Sequence, residues 1–161
     1  MKKTGAAEER LVARCRERGV PVTAQRRAVL RALSGRRDHP TAGQVHAAAS
    51  ARLPGMTRAT VYRVLATLES LGVVRAVEHA GAAARFEVDT GAHHHLVCTG
   101  CGRIDDLHEP GLESLSLPAP KTPGFVVREY SIQFRGLCGG CRALKDARRL
   151  PSGRGRERRR K

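Results

Sequence analysis

Two C-x-x-C pairs, Cys98-Thr-Gly-Cys101 and Cys138-Gly-Gly-Cys141, restrict the folds open to this chain more than any other feature. The small residues between the thiols let both sulfurs of a pair turn toward one point, so the two segments are expected to meet in space. The start MKKTGAAEER lacks the apolar run of about 7 to 15 residues that a secretory leader needs, and nowhere do about 18 apolar residues follow one another. A cytoplasmic location is therefore the expectation. In such a reducing setting, thiols at this spacing read as metal ligands before disulfides. Four thiolates around one ion suit tetrahedral Zn2+ and leave no open position, which makes the site structural. The 36 residues between the pairs form a long loop. Doubling a loop, however, costs only about 0.6 kcal/mol of closure entropy, against the roughly 10 to 16 kcal/mol a structural zinc contributes. The fifth cysteine, Cys15, falls on the apolar stripe Ala7, Leu11, Cys15 of a charged helix and reads as a small core residue.

Charge divides the chain into three parts. Residues 1–88 hold 16 Lys/Arg against 7 Asp/Glu, residues 89–141 hold 4 against 6, and residues 142–161 hold 10 against 2. The basic stretches carry no amphipathic apolar face, so the polyanion they suit is nucleic acid before membrane. The acidic middle part is built for something else. The last part, KDARRLPSGRGRERRRK at its core, is poor in apolar residues and is expected to be a disordered basic tail.

Residues 1–88 read as four helices and a β-hairpin. AAEERLVARCRERG stops at Gly19, Thr23 caps a helix carrying Val29, Leu30 and Leu33, and Thr41 caps a third through Val45 and Ala49. Thr57 caps a fourth with Val61, Val64, Leu65 and Leu68 on one face and Gly72 as its stop. VVRAVEH and ARFEV then form two β-prone runs around AGAA. This order is that of a winged helix-turn-helix. Residues 89–141 change period: HHLVC and GRIDDL read as strands, Glu109 to about Leu117 as a helix and FVVREYSIQF as a longer strand, with PAPKTPG forbidding a continuous helix. The expected fold class is α+β, an N-terminal winged-helix domain followed by a small α/β domain.

His93-His94-His95 introduces a second chemistry. Alternate residues of a strand share a face, so His93 and His95 can meet one ion while His94 points away. Imidazoles mixed with carboxylates suit Fe2+, Mn2+ or Zn2+ at five or six coordination. Nearby carboxylates are Glu87, Asp89, Asp105 and Asp106, and spacing alone leaves the choice among them open.

From Gly19 to Cys141 the chain resembles the ferric uptake regulator (Fur) family of metal-responsive repressors, and most of all its peroxide-stress branch. The resemblance rests on GVPVTAQR, DHPTA, ATVYRVL, RFEV, HHHLVCTGCGRIDDLHEPGL and GLCGGC in that order. It implies a structural zinc on Cys98, Cys101, Cys138 and Cys141 and a regulatory Fe2+ or Mn2+ on His39, Glu87, His93, His95 and Asp106. Those five come from the basic segment, the junction and the acidic segment, so an ion holding all of them clamps one domain against the other. The resemblance also implies a homodimer, built by residues 89–141, that binds palindromic double-stranded DNA when metal-loaded and represses, with no enzymatic turnover. Its recognition helix would present Arg58, Thr60, Tyr62 and Arg63, residue types suited to reading guanine edges and thymine methyls. Gln25, Arg26 and Arg27 would meet phosphate.

Asp106, where iron-sensing relatives tend to carry Glu, points to peroxide sensing through oxidation of a ligating histidine, His39 or His93. Glu87 is more typical of the iron-sensing branch, which keeps an iron- or manganese-responsive regulator in view. Ala92 and Tyr130 stand where iron-sensing members place histidines of a third metal site, so that site is expected to be absent. Pro118, Pro120 and Pro123 interrupt a helix that relatives use between subunits. Two other classes fit less well. A non-haem iron oxygenase needs a barrel that the helical first half does not supply. A zinc-ribbon RNA-binding protein would carry positive charge on its cysteine segment, which here is acidic.

Overall fold

The computed structural model describes residues 3–77, 83–88, 90–91, 93–115, 124–127 and 130–149. The chain opens with α1 (Lys3–Glu17), α2 (Ala24–Leu33), α3 (Ala42–Ser50) and α4 (Arg58–Ser70). The three threonines expected as caps act as such: the hydroxyls of Thr23, Thr41 and Thr57 accept from the backbone amides of Arg26, Gln44 and Thr60. Thr41 and Gln44 form a reciprocal capping box. Each such cap contributes about 1 kcal/mol by satisfying an amide the helix leaves orphaned.

One face of each helix closes a common core around Val29, Leu30, Leu33, Val45, Val61, Leu65 and Leu68. Cys15 belongs to it and is fully buried, and that burial pushes its thiol above the ordinary range. The turn from α3 to α4 is fixed at the Met56 carbonyl, which accepts from His46 Nε2 at 2.8 Å and Ser50 Oγ at 3.3 Å. Helix α4 ends where Gly72 takes a left-handed φ of 61°. Its amide bonds the Glu69 carbonyl, and the Val73 amide bonds that of Leu68, a Schellman closure that a Cβ would strain.

β1 (Arg75–Val77) and β2 (Arg85–Glu87) follow as an antiparallel wing, with Arg75 opposite Glu87. The expected turn AGAA lies mostly outside the described residues. The second lobe is a three-stranded sheet ordered β4-β3-β5, from β3 (His94–Cys98), β4 (Ile104–Leu107) and β5 (Gln133–Gly136). β3 runs antiparallel to β4 and parallel to β5.

Three expectations change. The helix expected from Glu109 spans only α5 (Pro110–Glu113), and residues 116–123 lie outside the description. The strand expected over Phe125 to Phe134 pairs only from Gln133, because the ladder is parallel with Gln133 beside His95 and β3 begins at His94, which leaves the earlier residues no strand to pair with; Phe125, Val126 and Val127 stay exposed. The basic tail is not disordered from its start, since α6 (Gly139–Arg149) runs eight residues past Cys141. The knuckle supplies the costly first turn, with the Arg142 amide bonded to the Cys138 carbonyl at 2.9 Å. Ala, Leu, Lys and Arg then propagate it. Residues 150–161 lie outside the description.

Candidate metal centre

Cys98 ends β3, Cys138 and Cys141 flank the start of α6, and the four thiols come together as sequence spacing anticipates. Their sulfurs lie within 4.8 Å of one another, with Cys101 and Cys138 3.8 Å apart. A tetrahedron with metal–sulfur bonds of about 2.3 Å has edges of roughly 3.8 Å, so the donor set fits Zn2+. The amide of Cys138 donates to Cys98 Sγ at 3.2 Å. Amides of Cys138, Cys101 and Gly100 draw the Cys98 thiol down to about 6, favouring the thiolate, whereas Cys141, facing the sulfurs of Cys101, Cys138 and Cys98, is pushed up to about 12. Gly100 is required here. A Cβ on it would lie 2.9 Å from Cys141 Sγ and 3.0 Å from Cys141 Cβ. Gly100→Ala is therefore expected to weaken metal binding by about 1–3 kcal/mol, the usual penalty of overpacking. Chelator competition on the variant measures it.

The second donor set draws on both lobes. His39 precedes α3, Glu87 ends β2, His93 and His95 flank and enter β3, and Asp106 lies on β4. His95 and Asp106 are directly opposite in the β3–β4 ladder, which places them on one face. Asp105 is instead bonded to Arg103 at 2.9 and 2.8 Å, and Asp89 lies outside the described residues. His94 points away as the strand period requires: its Nδ1 accepts from the Ile132 amide at 3.2 Å and its ring stacks on Tyr130.

Around Glu87 Oε2, the Nε2 atoms of His39, His93 and His95 lie at 3.0, 3.0 and 3.1 Å. Asp106 Oδ1 approaches His39 Nε2 at 2.9 Å and His93 Nε2 at 3.7 Å. All five donor atoms fall within 4.8 Å, and all but Asp106 are buried. Donors about 2.1 Å from one ion at right angles would be separated by roughly 3.0 Å, so the set fits a five- or six-coordinate divalent metal. Asp106 Oδ1 is itself shielded and has no hydrogen-bond partner among the described residues, a cost that an ion would remove. His93 Nδ1 donates to the Gly91 carbonyl at 3.1 Å, which leaves the Nε2 lone pair free to ligate.

Electrostatics agree with this. Burial opposes ionisation of Glu87, but the hydrogen bonds from His39 and His95 and the charge of His93 overcome it and lower the carboxyl to about 2. Burial likewise opposes protonation of His39, yet Glu87 and Asp106 raise it above its ordinary value. His39 also has a left-handed φ of 46°, rare for a non-glycine residue and worse before Pro40. The wing enforces it: Arg85 Nη1 donates to the His39 carbonyl and the Phe86 amide to that of Pro40, both at 2.9 Å. Strain of about 1–3 kcal/mol persists where surrounding structure over-determines it. A cleft of about 450 Å3, lined by Arg10, Arg14, Arg37, His39, Glu87 and Asp106 among others, opens beside the cluster.

On α4, Arg58, Tyr62 and Arg63 are exposed, Tyr62 at 59%. Thr60 is not. It is buried, with its hydroxyl 2.9 Å from that of Thr57, because it falls on the core side of the first turn. Gln25 is exposed. Arg26 is turned back onto the Pro21 carbonyl at 2.6 Å, and Arg27 is paired with Glu8 and Glu9 at 3.3 and 2.9 Å.

The ferric uptake regulator family model matches residues 17–135, which take in both donor sets apart from the last two cysteines. The chain belongs to this family. The peroxide operon regulator of Bacillus subtilis (strain 168) is 36% identical over 78% of this chain and 87% of its own length. Among solved structures, the ferric uptake regulator from Francisella tularensis with iron matches at TM-score 0.65 and 28% identity, over 77% of this chain and 96% of that one. A zinc uptake regulator complexed with zinc and DNA shares the fold at TM-score 0.69 and 24% identity, over 91% and 99%.

Two side chains that hold the segment joining the lobes carry no sequence signal. Arg14 and Arg75 reach the segment joining the lobes from 12 to 76 positions away. No periodicity or motif marks them.

Proposed function

We propose that this Fur-family protein is a metal-dependent transcriptional repressor, peroxide-responsive through oxidation of a ligand histidine. The observation that carries the reading is the convergence of His39, Glu87, His93, His95 and Asp106, from two lobes, on one point. Cys98, Cys101, Cys138 and Cys141 would hold a structural Zn2+, and the five-residue set Fe2+ or Mn2+. Held there, Fe2+ would supply the reducing electron for cleavage of the O–O bond of hydrogen peroxide.

The chain's residues do the rest. Glu87 and Asp106 balance a divalent charge, Gly91 fixes the tautomer of His93, and the cleft beside His39 admits a small oxidant. A ring of His39 or His93 that has gained an oxygen is a poorer donor, so the lobes lose their tie. Arg58, Tyr62 and Arg63 would read base edges in the major groove, with Gln25 beside them on the phosphates. One such helix reads few bases, so a homodimer on a palindromic operator in the cytoplasm is the working form. Its subunits would meet through the second lobe, where Phe125, Val126 and Val127 are exposed in the single chain.

Mass spectrometry of the Fe2+-loaded protein after dilute H2O2 tests this. One added oxygen on the peptide carrying His39 or His93, with loss of DNA binding, is the expected result. If both stay unmodified while DNA binding persists, the iron- or manganese-responsive reading, favoured by Glu87, replaces it.

A further inference from the structure

Building on the metal-dependent reading, we propose that Arg14 is the positioning residue that passes the state of the metal centre to helix α4. Its guanidinium joins three separate parts of the chain. Nη1 donates to the Val88 carbonyl at 2.9 Å, and Nη2 donates to the Gly72 carbonyl at 2.8 Å and to Thr90 Oγ1 at 2.8 Å. Val88 and Thr90 belong to the short segment between the ligands Glu87 and His93. Gly72 closes α4. One side chain thus bridges the path between two ligands to the end of the helix that carries Arg58, Tyr62 and Arg63.

The chemistry suits the task. A planar guanidinium offers several fixed donors and holds acceptors in a set relation, whereas an ammonium is a rotatable point charge. Its positive charge also faces the carbonyl end of α4, where the helix dipole is negative. Arg14 has no carboxylate partner among the described residues, so these three contacts to carbonyl and hydroxyl oxygens are what orient its guanidinium. Arg75 steadies the same segment from the wing: Nη2 donates to the Thr90 carbonyl at 2.9 Å, and Nη1 lies 3.5 Å from both Glu87 Oε1 and the Gly91 carbonyl. Any shift of Val88 or Thr90 that follows from gathering Glu87 and His93 onto one point is therefore delivered through Arg14 to Gly72. Arg14 itself touches none of the five donor atoms.

The test uses full-length protein, Mn2+ as the metal and a duplex selected from random sequence by wild-type protein. Mn2+ affinity without DNA, and DNA affinity with and without Mn2+, are measured for wild type, Arg14→Gln, Arg14→Lys and Thr90→Val. Arg14→Gln is expected to bind Mn2+ like wild type while the Mn2+-induced gain in DNA affinity shrinks about tenfold, within the usual range of allosteric couplings. Arg14→Lys, which keeps the charge and loses the fork, is expected to recover little of that gain. Thr90→Val, which loses one of the three acceptors, should give a partial fall and serves if Arg14→Gln does not fold. Hydrogen exchange adds an independent readout: Mn2+ should slow the Gly72 and Val73 amides in wild type and not in Arg14→Gln.

A full Mn2+-induced gain in Arg14→Gln, an equal loss with and without Mn2+, or complete rescue by Arg14→Lys would each overturn the assignment. Absence of any gain in wild type would overturn the metal-dependent reading along with it, and shows itself in a different arm.

Discussion

Serine at both Cys101 and Cys138 is expected to leave the sheet of β3, β4 and β5 without a stable fold while the helices ahead of it stay folded. The contrast follows from the two cores. The first lobe closes 19 buried apolar side chains into one cluster. In the second, Val97 and Ile104 are joined only by Val77 from the wing among the described residues. Burying an aliphatic side chain contributes about 1.5–3 kcal/mol, and ordering each residue's backbone costs about 1–2 kcal/mol. Three such side chains cannot hold a three-stranded sheet. A closed four-thiolate site, with roughly 10 to 16 kcal/mol of apparent binding energy, can make up most of the difference. Amide exchange separates the lobes: protection in β3–β5 should collapse and that in α2–α4 should survive. A variant whose β3 amides stay protected would show that packing, and not the sulfur cluster, organises this lobe.

That prediction rests on what was legible in the sequence. The sulfur cluster was, because ligand type and spacing are local properties and small residues between thiols leave little else for them to do. The helix starts were legible for the same reason: Thr23, Thr41 and Thr57 each act within three residues of themselves. The choice between Asp105 and Asp106 was not open to spacing alone, since it depends on the register of β4 against β3, and one residue of slip exchanges the faces. Family resemblance supplied that choice. Thr60 was misplaced because it was chosen by residue type from the resemblance, whereas its place four residues before Val64 and eight before Leu68 puts it on the inner face, where its hydroxyl meets that of Thr57. Arg14 and Arg75 escaped because most of their partners are backbone carbonyls, and all of them lie on distant segments. Helix α6 was missed because its nucleus is a metal knuckle, and composition cannot register a tertiary anchor.

Alanine at His39, His93 or Asp106 is expected to hold DNA affinity at the metal-free level whatever the Mn2+ concentration. A two-state arrangement moves decisively only if the ion prefers one state by about 10³ to 10⁴. Donors contributed by both lobes would create such a preference, since moving the lobes apart would break the set. Asp106→Asn separates charge from shape: it keeps an oxygen in place and loses the negative charge that a divalent ion needs, so it should behave almost as poorly as alanine. Fluorescence anisotropy on a duplex, with and without Mn2+, reads all four variants, and a full Mn2+ response in any alanine variant would refute the clamp. Protons should compete for the same donors. In the metal-free protein Glu87, lowered to about 2 from 4.5, contributes stability that is present above its unfolded value and lost as pH falls through the folded one. His39, raised from 6.5, contributes stability that is present below its unfolded value and lost as pH rises through the folded one. The contact of protonated His39 with Glu87 is therefore strongest between about 4.5 and 6.5. Above that window the imidazole gives up its proton and the metal-free lobes loosen, which is where the ion meets least competition. Mn2+ affinity should accordingly fall as pH drops below neutrality, and the switch should have its greatest contrast on the alkaline side of the His39 titration.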